Sequence, residues 1–305
     1  MTEQYTRSSN YGWDIPKRLL RLTLYADQSK TRVLNQLTED MYVKFNTTES
    51  VTGALNECNI VIGGLPPNKM FDLATSTTQW VNPYIPHALV IQAGYYNRFG
   101  TIFDGAIISA QPNLDSANYT ISLKCMSQFA TQTQGRTYSF KGKVPVSDIG
   151  SKLAWDWGLG FVDALNDYSI TVTDFSARDT NLSNILRQLM ATLPIDMYVS
   201  NGRLYLKSRF WGVSGAVIRL NTNDIIGTPE PTETGVIINA RMSSHYLTGM
   251  PISVKSLKYT QLESTKFFLT TVSHVGDTHG RDWYTRLTLV KEGLGYYNNG
   301  ESTVI

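Results

Sequence analysis

The stretch SHVGDTHGRDWYT, residues 273–285, brings two of the protein's four histidines and two aspartates within nine positions. Residues 268–275, before the central glycines and aspartates, alternate between two faces, and residues 283–290 after them do the same. A period of two is typical of β-strands, and glycines at positions 276 and 280 beside aspartates are typical of turns. The pattern predicts a β-hairpin whose loop carries His279.

The same stretch raises an alternative, because histidines and carboxylates are also metal ligands. A metal-dependent hydrolase would use His274, Asp277 and His279. A spacing of five, however, places one histidine on a strand end and the other in a loop, whereas HExxH places both on one helical face. His87 and His245 are isolated and are interpreted as structural. We assign no catalytic, cofactor-binding or metal-binding residue and do not expect an enzyme.

The composition favours a β-rich protein with large covered surfaces. The chain has 305 residues, enough for about two domains, and only 17% of them are charged. Six Trp, 17 Tyr and 11 Phe are consistent with strands and interfaces. A net charge of +2, with scattered Lys and Arg, implies no strong attraction to nucleic acid or membranes.

The two cysteines, Cys58 and Cys125, each lie alone in an apolar, strand-like run. Buried free thiols are the favoured interpretation, and one bridge between them stays open. The first 22 residues lack the apolar core of a signal peptide, and no run has the length of a membrane span.

The chain divides into four predicted segments. Residues 1–13 are polar and aperiodic and predict a flexible N-terminal arm. Residues 14–139 contain roughly six strand-like runs without a long helix between them, which predicts a barrel or sandwich. Residues 209–305 are strand-rich again, around a Pro-rich segment predicted as a loop at 227–235. The fold class is therefore mainly β, with a small α+β insert at residues 140–208.

Two helices and a hairpin define that insert. Apolar spacing predicts a helix within residues 144–158, with Ser147 as its N-cap. A second apolar stripe predicts a helix over residues 181–193, ended by Pro194. The Asn201–Gly202 pair that follows suits a type I′ turn between two strands.

Three stretches, taken together, resemble the baseplate hub proteins of contractile-tail bacteriophages, which are related to the spike hubs of contractile injection systems. They are residues 90–111, 220–254 and 267–289, and the resemblance covers nearly the whole chain. The residues that carry these motifs, interpreted as fold-forming, are Gly94, Tyr95, Gly105, Gly227, Pro229, Glu230, Gly235, Gly249, His274, Gly276, Asp277, Trp283 and Tyr284.

The resemblance implies two tail-tube-like β-barrel domains, residues 14–139 and 209–305, and a homotrimer whose six barrels imitate a sixfold tail tube. The implied partners are further copies of the chain, a trimeric spike protein, the tail tube or a tube-initiator protein, the tape measure protein and baseplate wedge proteins. DNA would pass through the lumen without specific binding during genome ejection. The protein would belong to the virion's tail baseplate and be assembled in the host cytoplasm.

The resemblance also gives unpaired edge strands a role, since they would pair between subunits. An alternative function is a tail-tube or distal-tail protein of a non-contractile phage.

Overall fold

The structure, a computed structural model, describes residues 7–8, 14–15, 17–52, 56–76, 86–114, 119–165, 169–256 and 259–294. It is 51% strand and 17% helix, which confirms the mainly β prediction. Most of the predicted arm, residues 1–13, lies outside the described residues. Within it, Arg7–Ser8 pairs antiparallel with Asp14–Ile15.

The strands and helices fall into three consecutive groups. The first comprises β1 (Arg7–Ser8), β2 (Asp14–Ile15), β3 (Arg18–Tyr25), β4 (Val33–Thr38), β5 (Val43–Ser50), β6 (Glu57–Gly63), α1 (Pro67–Ser76), β7 (Ala88–Tyr95), β8 (Gly100–Asn113) and β9 (Thr120–Met126). The second comprises α2 (Phe129–Thr133), β10 (Arg136–Ser139), β11 (Lys143–Pro145), α3 (Val146–Asp156), β12 (Gly160–Asp163), β13 (Thr171–Thr173), β14 (Ser176–Thr180), α4 (Leu182–Thr192), β15 (Ile195–Ser200) and β16 (Arg203–Ser208). The third comprises β17 (Ile218–Leu220), β18 (Ile225–Pro231), β19 (Gly235–Arg241), β20 (Pro251–Val254), α5 (Gln261–Ser264), β21 (Phe267–Asp277) and β22 (Trp283–Lys291).

Strands of the first and third groups form one sheet of 13 strands. Its spatial order is β18, β19, β22, β21, β5, β6, β9, β8, β7, β3 and β4, with β20 joined to β21 and β17 joined to β20. The two groups meet where β21 pairs antiparallel with β5 through seven residue pairs, from Thr271↔Ser50 to Asp277↔Lys44. We call this pairing the seam.

The described residues contain three hydrophobic clusters. One draws on residues 20–125 but also contains Met242 and Trp283 from the third group. The second lies within residues 138–206, and the third within residues 220–289. Because Met242 and Trp283 complete the first cluster, the two β-rich groups share core packing as well as strand pairing.

The insert agrees with its sequence patterns except at one cap. Helix α4 spans Leu182–Thr192, and the side chain of Asn181 accepts a hydrogen bond from the N–H of Asn184 at 3.0 Å. Asn201 and Gly202 have φ values of 48° and 71°, as a type I′ turn requires. Ser147, however, is not the N-cap of α3, because the helix begins at Val146 directly after strand β11. Ser147 is buried instead.

The segment predicted as a Pro-rich loop is largely the edge strand β18. Its pairing with β19 shifts register between Ile226 and Glu230, and Gly227 in this bulge has a φ of +76°. A positive φ favours glycine, and prolines are tolerated on an edge strand. The loop prediction was therefore wrong, because turn-forming residues here serve a bulged strand.

The two cysteines face each other across β6 and β9 as direct Cα partners. Both are fully buried free thiols, in agreement with the favoured interpretation. Burial raises the pKa of both thiols, which keeps them protonated. Among the described residues, no helix is both long enough and apolar enough to cross a membrane.

Candidate functional site

The hairpin predicted from the opening stretch is present. Strands β21 and β22 pair as far as Gly276↔Trp283, and the N–H of Asp277 donates to the carbonyl of Asp282 at 2.7 Å. The Asp277 carboxylate accepts from the N–H groups of His279 and Gly280 at 3.0 and 2.7 Å. The aspartate therefore shapes the turn by binding backbone donors two and three residues ahead.

The two histidines of the hairpin have different surroundings. His274 is 5% exposed, and its Nδ1 lies 2.8 Å from the hydroxyl of Thr285. Burial lowers the pKa of His274 to about 3, so its ring is neutral. His279 lies in the exposed loop, with its ring 5.7 Å from that of Tyr42. Over the described ranges, no three His, Cys, Asp or Glu side chains are grouped to hold a metal ion.

A cleft of about 720 Å³ opens where the first group, the insert and the third group meet. Its walls include Glu49, Asp104 and His274, whereas Asp277 and His279 lie elsewhere. The three side chains of the hydrolase alternative are therefore not brought to one cleft. Hydroxyl and amide side chains line much of this cleft, among them Thr48, Asn56 and other residues of the three groups.

The hairpin loop is held against the first group by Arg18. Its guanidinium donates to the carbonyls of Asp277, Gly280 and Arg281 at 3.1, 2.8 and 3.1 Å. The same group lies over the ring of Trp283, 5.7 Å from its centroid. One side chain thus provides hydrogen-bond donors for three carbonyl groups of the hairpin loop.

Thr278 also joins the hairpin loop to the first group, where it binds backbone groups. Its N–H donates to the carbonyl of Val43 at 3.0 Å, and its hydroxyl accepts from the N–H of Val43 at 3.0 Å. The hydroxyl also donates to the carbonyl of Met41 at 2.7 Å. These bonds extend the seam past the last paired residue of β21.

Aromatic packing requires glycine at position 276. A Cβ there would lie 2.3 Å from the ring of Phe45, which itself packs edge-on against Trp283 at 5.7 Å. Gly276 therefore lets an aromatic side chain of the first group lie across the hairpin. Tyr284, which follows Trp283 in β22, is half-buried. Its partners on the neighbouring strands are Arg241 of β19 and Val275 of β21.

The contacts of Arg18 and Thr278 with the hairpin loop form one joint between the first and third groups. A second joint connects all three groups. Gly249 has a φ of +80°, and a Cβ there would lie 2.0 Å from the hydroxyl of Tyr198 in the insert. That hydroxyl donates to the carbonyl of Thr248 at 3.0 Å, and the Thr248 hydroxyl donates to Glu49 of β5 at 2.6 Å. Burial raises the pKa of Tyr198, which keeps this donor protonated.

The motif residues near β7 and β8 also serve close packing. Gly94 has a φ of +145°, and a Cβ there would meet the carbonyl of Arg98 at 2.4 Å. Arg98 forms an ion pair with Asp224 of the third group at 2.7 Å. Tyr95 is partly buried beside the first core cluster. At Gly105 a Cβ would lie 2.4 Å from the carbonyl of Met126 on the neighbouring strand.

The motif at 227–235 shapes the edge of the sheet. Pro229 is buried, and Glu230 lies at the surface 3.5 Å from Arg286 on β22. At Gly235 a Cβ would lie 2.0 Å from the carbonyl of Leu289, so only glycine fits. Arg18, Tyr198 and Glu49 complete the joints, yet none of them belongs to a motif that marked it in the sequence.

We expect Arg18→Ala to lower the free energy of unfolding by about 2 kcal/mol, because three carbonyls lose a charged donor. Arg18→Lys should recover little, since an ammonium lacks the planar fork that reaches all three. Urea unfolding measures the effect, with exposed Arg219→Ala as the matched control. Equal stability of Arg18→Ala and the control would contradict this role.

Gly249→Ala should destabilise the protein by about 3 kcal/mol, because the added methyl meets the Tyr198 hydroxyl at a positive φ. Adding Tyr198→Phe to Gly249→Ala should restore part of the loss, since the atom in closest contact is removed. Thermal or urea unfolding of the two single variants and the double variant forms the cycle. Strictly additive losses would show that the contact does not carry the effect.

Stability should fall as the pH drops below 6.5, the ordinary pKa of histidine, towards 3, the pKa of folded His274. The unfolded state then binds a proton that the folded state excludes, so stability is complete above pH 6.5 and is lost below it. Between pH 6.5 and 5 one such group costs about 2 kcal/mol. Urea unfolding of His274→Gln should lose this slope, whereas His279→Gln should keep it. A slope unchanged in His274→Gln would refute the assignment.

Comparison with solved structures finds tail proteins with the same fold. The 43 kDa tail protein of prophage MuSo2 from Shewanella oneidensis has a TM-score of 0.60 at 10% identity, over 91% of this chain and 99% of that one. The tail protein of Neisseria meningitidis MC58 has a TM-score of 0.55 at 12% identity, over 90% and 96%. The E. coli c3393 protein has a TM-score of 0.55 at 10% identity, over 86% and 76%.

The E. coli protein is described as a component of the type VI secretion system, similar in structure to the T4 bacteriophage tail proteins gp27 and gp5. At these identities the likeness establishes the fold alone. No curated protein sequence gives a significant match. The sequence pattern of the family described as Baseplate hub gp41 matches residues 19–288, which include the seam and the hairpin loop. The chain therefore belongs to the Baseplate hub gp41 family, and it is a structural protein of a phage tail baseplate and a component of the virion.

Proposed function

We propose that three copies of this chain form a ring that adapts a sixfold tail tube to a trimeric central spike. The observation that carries the proposal is the seam, which joins two β-rich groups of one chain into a single sheet. Three chains would then present six β-rich units, two per chain. Each unit would be a tail-tube-like β-barrel domain, residues 14–139 and 209–305, with the insert at 140–208 between them.

The partners follow from this position in the tail. The tube or a tube-initiator protein would bind one side of the ring and the trimeric spike the other, with the tape measure protein in the lumen and wedge proteins outside. The similarity to T4 tail proteins that is stated for the E. coli protein supports a position in the tail. The ring would assemble in the host cytoplasm and act by shape and binding, with no chemical step.

The ring would also form part of the DNA conduit during genome ejection. One row that crosses the seam, exposed except for the half-buried Val275, pairs Val275 with Asn46, Asn46 with Asn59 and Asn59 with Lys124. Uncharged side chains predominate in this row, and the whole chain has a net charge of only +2. Such a surface would bind phosphates weakly, so DNA could slide past it.

The native mass in solution tests the ring. Light scattering on the purified chain, alone and with its candidate spike protein, should give a mass near three subunits in at least one condition. A monomer in both conditions would contradict the ring. A six-subunit ring would favour the alternative, a tail-tube or distal-tail protein of a non-contractile phage. Nanomolar DNA binding at physiological salt would contradict the conduit.

A further inference from the structure

The cleft at the junction of the three groups runs beside part of a strand that lacks a neighbour. Five consecutive residues of β8, Thr101–Gly105, line this cleft. The stretch pairs with β7, whereas the pairing of β8 with β9 begins only at Ala106. Residues 127–129, which follow β9, form the adjoining wall, so the cleft lies on the side of β8 away from β7. Among the described strands, none pairs with this side of residues 101–105.

The backbone of Asp104 faces the open side. The N–H of Ile107 donates to the carbonyl of His87 at 2.8 Å, so the backbone of Ile107 faces β7. Backbone groups alternate sides along a strand, and the register between β7 and β8 has no shift from Phe103 to Ala106. The N–H and C=O of Asp104 therefore point away from β7. Open backbone groups of this kind are what an added strand bonds to.

The other walls of the cleft suit an extended polypeptide. The side-chain amides of Gln128 and Asn201 line it, and an amide can both donate to and accept from peptide groups. Trp157 and Leu159 also line it and are only half-buried, which leaves apolar surface for the alternate side chains of a bound strand. The five open residues of β8 correspond to about 17 Å of extended chain.

The charges in the cleft determine which segment fits it. Lys30 and Asp104 form an ion pair with each other, so the open edge carries no unpaired charge. His274 is neutral because it is buried. Glu49 accepts from the hydroxyl of Thr248 at 2.6 Å, but it forms no ion pair with any described residue. One carboxylate thus stays uncompensated, and a single Lys or Arg on a bound segment would complement it.

We propose that the cleft binds an extended segment of another protein, which adds as a strand to the open edge of β8 and places one Lys or Arg against Glu49. In this binding mode main-chain hydrogen bonds supply affinity, and the side-chain contacts supply specificity. The segment lies between β8 and the insert, so its binding also holds the insert against the sheet. The inference concerns a single copy of the chain and does not depend on the proposed ring.

Selection from a peptide library tests the site. The immobilised full chain selects from displayed random nonapeptides, and fluorescence anisotropy of the synthesised, enriched peptides gives their Kd. We expect peptides with one basic and no acidic residue and a Kd in the micromolar range. Asp104→Pro should weaken their binding at least about tenfold, because it removes the open N–H and leaves the ladder to β7 intact. The matched control Asp104→Ala loses the same ion pair but keeps the N–H, and it should bind within about threefold of the unchanged chain.

Glu49→Gln tests the charge separately. The amide oxygen still accepts from Thr248, so the chain should fold, while binding should weaken about tenfold and the preference for a basic residue should disappear. Urea unfolding checks each variant, and Glu49→Gln decides the test if Asp104→Pro does not fold.

Three outcomes would overturn the inference. The first is a selection without enriched peptides, and the second is equal binding by folded Asp104→Pro and Asp104→Ala. The third uses peptides of residues 1–16 and 291–305 of this chain as probes. Tighter binding of either than of the selected peptides would assign the cleft to a terminus of the chain and not to another protein. A monomer that selects singly basic peptides would refute the ring and support the inference.

Discussion

The seam between β5 and β21 is the interaction on which the rest of the structure depends. Its seven residue pairs join strands more than 200 positions apart in sequence into one hydrogen-bonded ladder. The apolar faces on either side share side chains across it, since Trp283 of β22 packs against Phe45 of β5. Without this ladder, β5 and β21 would each have an open edge, and the hairpin loop would lose the neighbour that satisfies its carbonyls.

The other contacts limit how the parts can move about the seam. Arg18 holds the hairpin loop, while Arg98 holds the third group through Asp224. The insert is fastened near its hairpin, where the hydroxyl of Tyr198 fills the space left by Gly249. Together with the seam, these contacts fix the three groups, each with its own hydrophobic cluster, relative to one another.

A buried ion pair marks the same junction from the insert side. Lys207 and Asp196 are almost fully buried, their charged atoms are 2.7 Å apart, and the ammonium lies 4.4 Å from the ring centre of Phe268 on β21. Burial lowers the pKa of Lys207, and Asp196 opposes that shift by favouring the charged form. Removing one partner of a buried ion pair destabilises a protein by more free energy than forming the pair contributes. The pair therefore fixes the position of the insert and adds little net stability.

Local patterns predicted most of the elements but not all of their roles. The alternation around residues 273–285 predicted the hairpin, and the stripe at 181–193 predicted α4, because these periods depend only on which face of an element is buried. The same reasoning missed the edge strand β4, whose largely exposed side chains do not alternate between buried and exposed positions. It also predicted a loop where β18 runs, since glycine and proline suit a bulged edge as well as a turn.

The sequence by itself determined the mainly β class, the insert and the motif positions that require glycine or a turn. The family resemblance drew on those same motifs. Only the tertiary structure decided which strands became neighbours and which side chains meet at the seam. Arg18 bonds to a carbonyl 259 residues away, and such a contact leaves no period or spacing in the chain. Local geometry constrains each residue's face, whereas the choice of partner strand depends on how all the strands pack together.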